Sequence, residues 1–190
     1  MNRPATLLVL LLAGLLAGCG GGSRPTGIRA AETPADDVAE YQPRWRSHTV
    51  DSTQYRKVFL AGTIDMGRSS DWQAALVARF RDSIGGRWLF FNPRRREFHA
   101  SPAEMEYQVA WELAHLEAAD LIVMNLLGDS RSPISLLEMG LYARSGKLFV
   151  VCSPDYYRYD NVRITCRRYG VPLYDSLTAL LDDLPQQSDE

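Results

Sequence analysis

Three acids stand where they could do chemistry: Asp65, Glu112 and Glu138. Asp65 lies in Gly62-Thr63-Ile64-Asp65-Met66-Gly67-Arg68, directly behind an apolar run. That loop offers an acid, a hydroxyl at Thr63 and, at Gly62, a backbone free to approach a ligand. It has neither the Walker spacing nor the dinucleotide fingerprint. Read locally, it is equally a plain turn with Asp65 in solvent. Gln108 and Glu112 are four residues apart, as are Trp111 and His115, so each pair shares one helix face. Glu112 either faces a cleft or lies on the surface, and His115 reads as a helix-surface or packing residue rather than a ligand. Glu138 belongs to Asp129-Ser130-Arg131-Ser132-Pro133-Ile134-Ser135-Leu136-Leu137-Glu138-Met139-Gly140. Ser135 and Glu138 fit a capping box, in which the glutamate merely returns to the cap amide. Alternatively, a carboxylate in the first helical turn is kept ionised by the helix N-terminus and serves as a nucleophile. Asn92-Pro93-Arg94-Arg95-Arg96 sets cations side by side. They would attract a phosphate or pair with Glu97, Glu104 and Glu106.

These residues need elements to hold them. Val58-Phe59-Leu60-Ala61, Trp88-Leu89-Phe90-Phe91, Leu121-Ile122-Val123-Met124, Leu148-Phe149-Val150-Val151 and Val171-Pro172-Leu173-Tyr174 are short apolar runs and read as strands. Between them lie helical stretches. Asp71 caps one that stops near Gly85-Gly86, and Ser101-Pro102-Ala103-Glu104 starts one that runs to about Ala119. Others cover Ser135 to Ser145, Val162 to Tyr169 and Leu177 to Leu184. Continuous apolar strands alternating with helices imply a parallel sheet covered on both faces. The expected fold is α/β, a flavodoxin-like, doubly wound, parallel five-stranded sheet. Ligands in such sheets bind beyond the carboxyl ends of the strands, where strand order reverses. Every residue named above falls on those loops or on the helices behind them.

Composition narrows the function further. The chain has 190 residues, 46% hydrophobic and 23% charged, with net charge -2. That is an ordinary globular balance. No basic excess supports a nucleic-acid footprint, so no nucleic-acid partner is expected. Three histidines and three cysteines, Cys19, Cys152 and Cys166, are too few and too scattered for a zinc framework, so no metal is expected. Cys152 and Cys166 either form a disulfide or remain buried thiols.

The N-terminus reads as an address. Met1-Asn2-Arg3 is followed by an apolar run from Ala5 to Ala17. A run of about 13 residues is too short for a bilayer core that needs about 20. It has the plan of a secretory signal peptide. Leu16-Ala17-Gly18-Cys19 resembles the lipobox of bacterial lipoproteins. The resemblance implies cleavage after residue 18, diacylglycerol on Cys19 and anchoring in the membrane through that lipid. Gly20 after the cysteine is compatible with the periplasmic face of the outer membrane. Residues 19–56, opening with Gly20-Gly21-Gly22-Ser23 and carrying Pro25, Pro34 and Pro43, read as a flexible tether, with docking of Tyr41 and Trp45 on the domain the one reason to expect order late in it. The folded domain then spans 57–184, with 185–190 as a disordered tail.

Taken in order, Phe59 to Asp65, Trp72-Gln73, Phe91-Asn92-Pro93-Arg94-Arg95, Gln108, Trp111-Glu112, Ala119-Asp120 and Ser132 to Gly140 resemble the nucleoside 2-deoxyribosyltransferase-like proteins. Tyr157-Arg158 and Asn161-Val162 are similar to the same branch. The resemblance implies cleavage or transfer at the N-glycosidic bond of a nucleoside or nucleotide, without a cofactor. It makes Glu138 the nucleophile that attacks the anomeric carbon, with Asp65 or Glu112 supplying a proton to the departing base. The physics parallels a retaining glycosidase. Gly62, Thr63, Asn92, Arg94, Arg95, Asp129, Ser132 and Ser135 are then the candidate substrate contacts. Classical members carry an aspartate several residues before the nucleophile. Here that stretch reads Ser130-Arg131-Ser132-Pro133, and Asp129 or Ser132 stands in for it. A homo-oligomer is compatible with the family. The competing expectations are an envelope lipoprotein that binds nucleosides or nucleotides without turnover, and a purely structural lipoprotein.

Overall fold

The computed structural model describes residues 37–84, 86–97 and 101–184. All of them belong to one compact unit. The expected signal peptide, Cys19, the first part of the expected tether and residues 185–190 lie outside the described residues.

The sheet has seven strands. They are β1 (Val38–Gln42), β2 (Trp45–Arg46), β3 (Arg56–Gly62), β4 (Trp88–Phe91), β5 (Leu121–Leu126), β6 (Leu148–Cys152) and β7 (Leu173–Tyr174). Their spatial order is β2-β1-β4-β3-β5-β6-β7. Every pairing is parallel except the β1–β2 hairpin. Without β1 and β2, the order is that of a flavodoxin-like sheet. The expectation of five strands is therefore corrected to seven. The tether is corrected too: Val38–Arg56 is part of the domain, not a spacer. β1 lies along β4 with Tyr41 opposite Phe91, and Ala39 and Tyr41 are buried. Pro43 does not break this strand; it belongs to the hairpin turn, where Arg44 has φ 62°. A five-residue strand interrupted by Glu40 has little apolar signal of its own. It gains its burial only from β4.

Five helices pack on the two faces: α1 (Trp72–Arg79), α2 (Pro102–Ala118), α3 (Pro133–Tyr142), α4 (Tyr159–Tyr169) and α5 (Leu177–Asp183). Alternation along β3 sorts the core. Val58 and Leu60 join Trp72, Leu76 and Val77 of α1, Phe80 just after it, and Leu180 of α5. Phe59 and Ala61 face the other way and join Leu116 of α2, Met139 of α3 and Val162 and Cys166 of α4. A two-residue side-chain period thus feeds both layers from one strand. Phe80 packs edge-on against Trp88 and Phe90 at 4.8 and 5.0 Å. Burying each such ring contributes about 2–3 kcal/mol.

Helix boundaries follow their caps. Asp71 accepts from the Ala74 amide at the start of α1, Ser101 from Glu104 at the start of α2, and Ser176 from Ala179 at the start of α5. α3 is different. It begins at Pro133, with Ser132 before it in a left-handed conformation and with no side-chain cap. The expected helix over Ser135 to Ser145 is thus shifted by two to three residues.

Candidate active site

The chain runs from β3 outward to β4, then back past β3 to β5. Strand order reverses between β3 and β5, and in sheets of this kind ligands bind beyond the carboxyl ends of the strands at that point. Gly62 closes β3 opposite Asn125, with φ +124°. A Cβ there would meet the Asn125 carbonyl oxygen at 2.2 Å, so only glycine lets the strands come this close. The next residues turn sharply: Asp65 and Met66 both have positive φ, at 50° and 55°. Such backbone strain costs on the order of 1–3 kcal/mol per residue and collects at functional loops.

A chain of hydroxyls bridges the two loops at this point. Ser130 donates to Asp65 Oδ1 at 3.0 Å. Its one proton spent, Ser130 accepts from Ser132 at 2.9 Å, and Ser132 accepts from Thr63 at 2.7 Å. Thr63 Oγ1 accepts from the Leu127 amide at 3.1 Å. Thr63, Ser130 and Ser132 are all buried. The chain is therefore polarised in one sense, from a backbone N–H to the Asp65 carboxylate. Trp72 Nε1 donates to the Thr63 carbonyl at 2.9 Å and fixes the loop from the α1 side.

Glu138 lies in the second turn of α3, buried to 8% exposure. It is too far along for a capping box, because the helix starts at Pro133. Its carboxyl meets no hydrogen-bond donor and no cation among the described residues. Burial first, and the negative charge of Glu112 second, push its pKa up to about 8. The expectation that the helix N-terminus keeps it ionised is corrected: dipole effects fade after the first turn. Glu112 on α2 is the acid whose charge reaches it. Burial raises its pKa as well, opposed by a hydrogen bond from Gln108 and by the charge of Arg95. Two carboxyls that share a dry site cannot both ionise cheaply.

A family model described as nucleoside 2-deoxyribosyltransferase like matches residues 55–156, more than half of the chain. The chain belongs to this family. No curated protein matches it. The match begins just before β3 and ends past β6, so it contains the strand-order reversal, the hydroxyl chain and the acids Glu112 and Glu138 of this deoxyribosyltransferase-like domain.

The remaining candidate residues divide by what they touch. Arg94 is buried and bonds to the Ser69 and Ser70 carbonyls, the Ser69 hydroxyl and Gln73, with Asp71 at 3.5 Å. Arg95 donates to Gln108 and to the Glu104 carbonyl. Arg96 lies over the Trp45 ring at 3.7 Å and bonds Gln42. The three arginines thus tie α1, α2 and the β1–β2 hairpin to the end of β4, where a free phosphate clamp was one expectation. Neither Glu97 nor Glu106 is the acid that pairs with Arg94. Asn92 is buried, donating to Glu40 at 2.7 Å and accepting from the Arg94 amide. Ser135 is buried in the first turn of α3, and Asp129 stays exposed on the loop before it. His115 stacks on Trp111 at 4.0 Å and meets Phe91 edge-on, a packing role as read. Cys152 and Cys166 are free and buried, and burial pushes their thiols up to about 12 and about 11.

Sequence reasoning passed over Ser130 and Glu40. Neither has a local signal. Ser130 matters because Asp65 arrives 65 residues upstream, and Glu40 because Asn92 does so 52 residues downstream.

Proposed function

We propose that this domain cleaves or transfers at the N-glycosidic bond of a (deoxy)nucleoside or nucleotide through a covalent glycosyl-glutamate on Glu138. The observation that carries this reading is the buried, unpaired carboxyl of Glu138, within reach of the Glu112 charge, in a family whose description names deoxyribosyl transfer. Glu138, once ionised, attacks the anomeric carbon as the base departs, and charge developing on the sugar is held by the carboxylate. Glu112 or Asp65 protonates the departing base. Gly62 brings close backbone to the sugar side, and the buried hydroxyls of Thr63, Ser130 and Ser132 hold the loop that carries Asp65. Water or a second base completes the cycle.

A second reading has its own support. A carboxyl with its pKa raised to about 8 holds a proton at neutral pH, which suits a lipoprotein that binds nucleosides or nucleotides without turnover. One experiment separates the two: incubation with a panel of nucleosides and nucleotides, followed by peptide mass spectrometry and chromatography. Catalysis gives a pentose adduct on Glu138 and free base, both lost in Glu138→Ala by at least about 10³-fold. Thermal stabilisation without adduct or product rejects catalysis in favour of binding.

We further propose that the domain hangs from the envelope by a lipid on Cys19, and that it forms a homo-oligomer. For the latter, Met105, Val109 and Leu113 on α2 and Ile134, Leu137 and Leu141 on α3 are 42–63% exposed. Apolar side chains repeated along two helices form the kind of surface that marks association.

A further inference from the structure

Gln108 makes three hydrogen bonds at once from a side chain that is 9% exposed. Its Oε1 accepts from Arg95 Nε at 2.5 Å. Its Nε2 donates to the Pro93 carbonyl at 3.1 Å and to Glu112 Oε1 at 2.5 Å. Arg95 is a permanent donor, and the Pro93 carbonyl is a permanent acceptor. Together they fix which end of the carboxamide faces Glu112. Glu112 therefore always receives an N–H, backed through the amide by a guanidinium. Glu138 receives none among the described residues. The two acids are unequal by construction, one equipped to carry negative charge and the other left with its proton.

We infer that Gln108 is the positioning residue of this site, holding Glu112 as the base that takes up the proton Glu138 must release. The inference rests on the reaction proposed above and adds its proton inventory. Glu138 gives its proton to the Glu112 carboxylate and becomes the nucleophile. Its oxygen forms the bond to the anomeric carbon while the C–N bond breaks, the electron pair leaving with the base. Glu112 then delivers the same proton to the leaving nitrogen. One proton serves both events, and no co-reactant is needed. The titratable and charged groups that face this pair are Arg95 from the loop after β4, Glu112 on α2 and Tyr142 on α3, itself also facing Glu117. Asp65 stands apart, engaged by Ser130.

The test is a carbon NMR titration of glutamate side-chain carboxyls in the full chain, for wild type, Gln108→Leu and Gln108→Glu. In wild type, Glu112 should titrate below Glu138. In both variants Glu112 should rise by about one pH unit or more, the scale of a lost hydrogen bond to a charge, closing or inverting the order. Gln108→Glu keeps the side-chain length and the Arg95 partner, and urea unfolding of each variant checks that it is folded. Titrations unmoved in both variants overturn the inference. Activity supplies a second readout. A single shared proton gives a bell-shaped kcat/KM that falls above about pH 8, and Gln108→Glu lowers kcat while KM holds. A profile that only climbs through pH 8 overturns the shared proton. Titrations that move as expected in a chain that releases no base uphold the role of Gln108 and sink the proposed reaction instead.

Discussion

Glu138 shows how burial decides a residue's chemistry against its helix. A carboxylate at a helix N-terminus gains about 0.3–1 kcal/mol, and only within the first turn. Against this stands a pKa raised from 4.5 to about 8, each unit being about 1.4 kcal/mol. Desolvation wins by several-fold. A consequence for stability follows. Between about pH 4.5 and 8 the folded chain holds a proton on Glu138 that the unfolded chain releases. Stability must fall as pH rises through that window, and the loss is complete above it. Glu138→Gln removes the titration. The variant should be more stable than wild type at pH 8.5 by about 3–5 kcal/mol and should differ little at pH 4. Urea unfolding at both values measures this. Equal stabilities at pH 8.5 would mean that the carboxyl is better solvated than its position implies.

At the scale of elements, β4, β6 and the apolar stretches of β3 and β5 were legible because each is buried on both faces. The start of α3 was not. Ser135 and Glu138 have capping-box spacing, yet Pro133 opens the helix, its fixed φ suiting the first turn. Ser132 would ordinarily cap it, but its hydroxyl is taken by Thr63 and Ser130. A long-range contact removed the local signal. The same convergence makes Gly62 the tightest point between β3 and β5. Gly62→Ala adds a Cβ against the Asn125 backbone at a φ that L-residues avoid. The expected cost is about 2–5 kcal/mol, from strain and overpacking together, seen as a lower urea midpoint. A variant of wild-type stability would show that the close approach of β3 and β5 can relax, and with it the loop that carries Asp65.

For the whole molecule, two proposals concern how it is placed and assembled. No helix among the described residues is long and apolar enough to cross a membrane. If Cys19 carries the anchor, wild type should fractionate with membranes and Cys19→Ser should not. A mature chain that keeps residues 1–18 would reject the lipobox reading. If the α2–α3 face joins two copies, Leu137→Asp, at a side chain 62% exposed, should halve the mass seen by light scattering while leaving the unfolding midpoint within about 0.5 kcal/mol. A wild-type chain that is monomeric at high concentration removes the interface.

What the sequence determined by itself was the alternation of buried strands and helices, hence the parallel sheet and the end of it where a ligand sits. It also named Asp65, Glu112 and Glu138. These are local facts, written in hydrophobic periodicity and in the order of residues along single loops. Only the tertiary structure decided which acid keeps its proton, which arginines are spent on the scaffold, and that Val38–Gln42 is a strand at all. Each of those depends on a partner tens of residues away. Desolvation and hydrogen-bond pairing are properties of the space around a group, and the chain creates that space only when it closes.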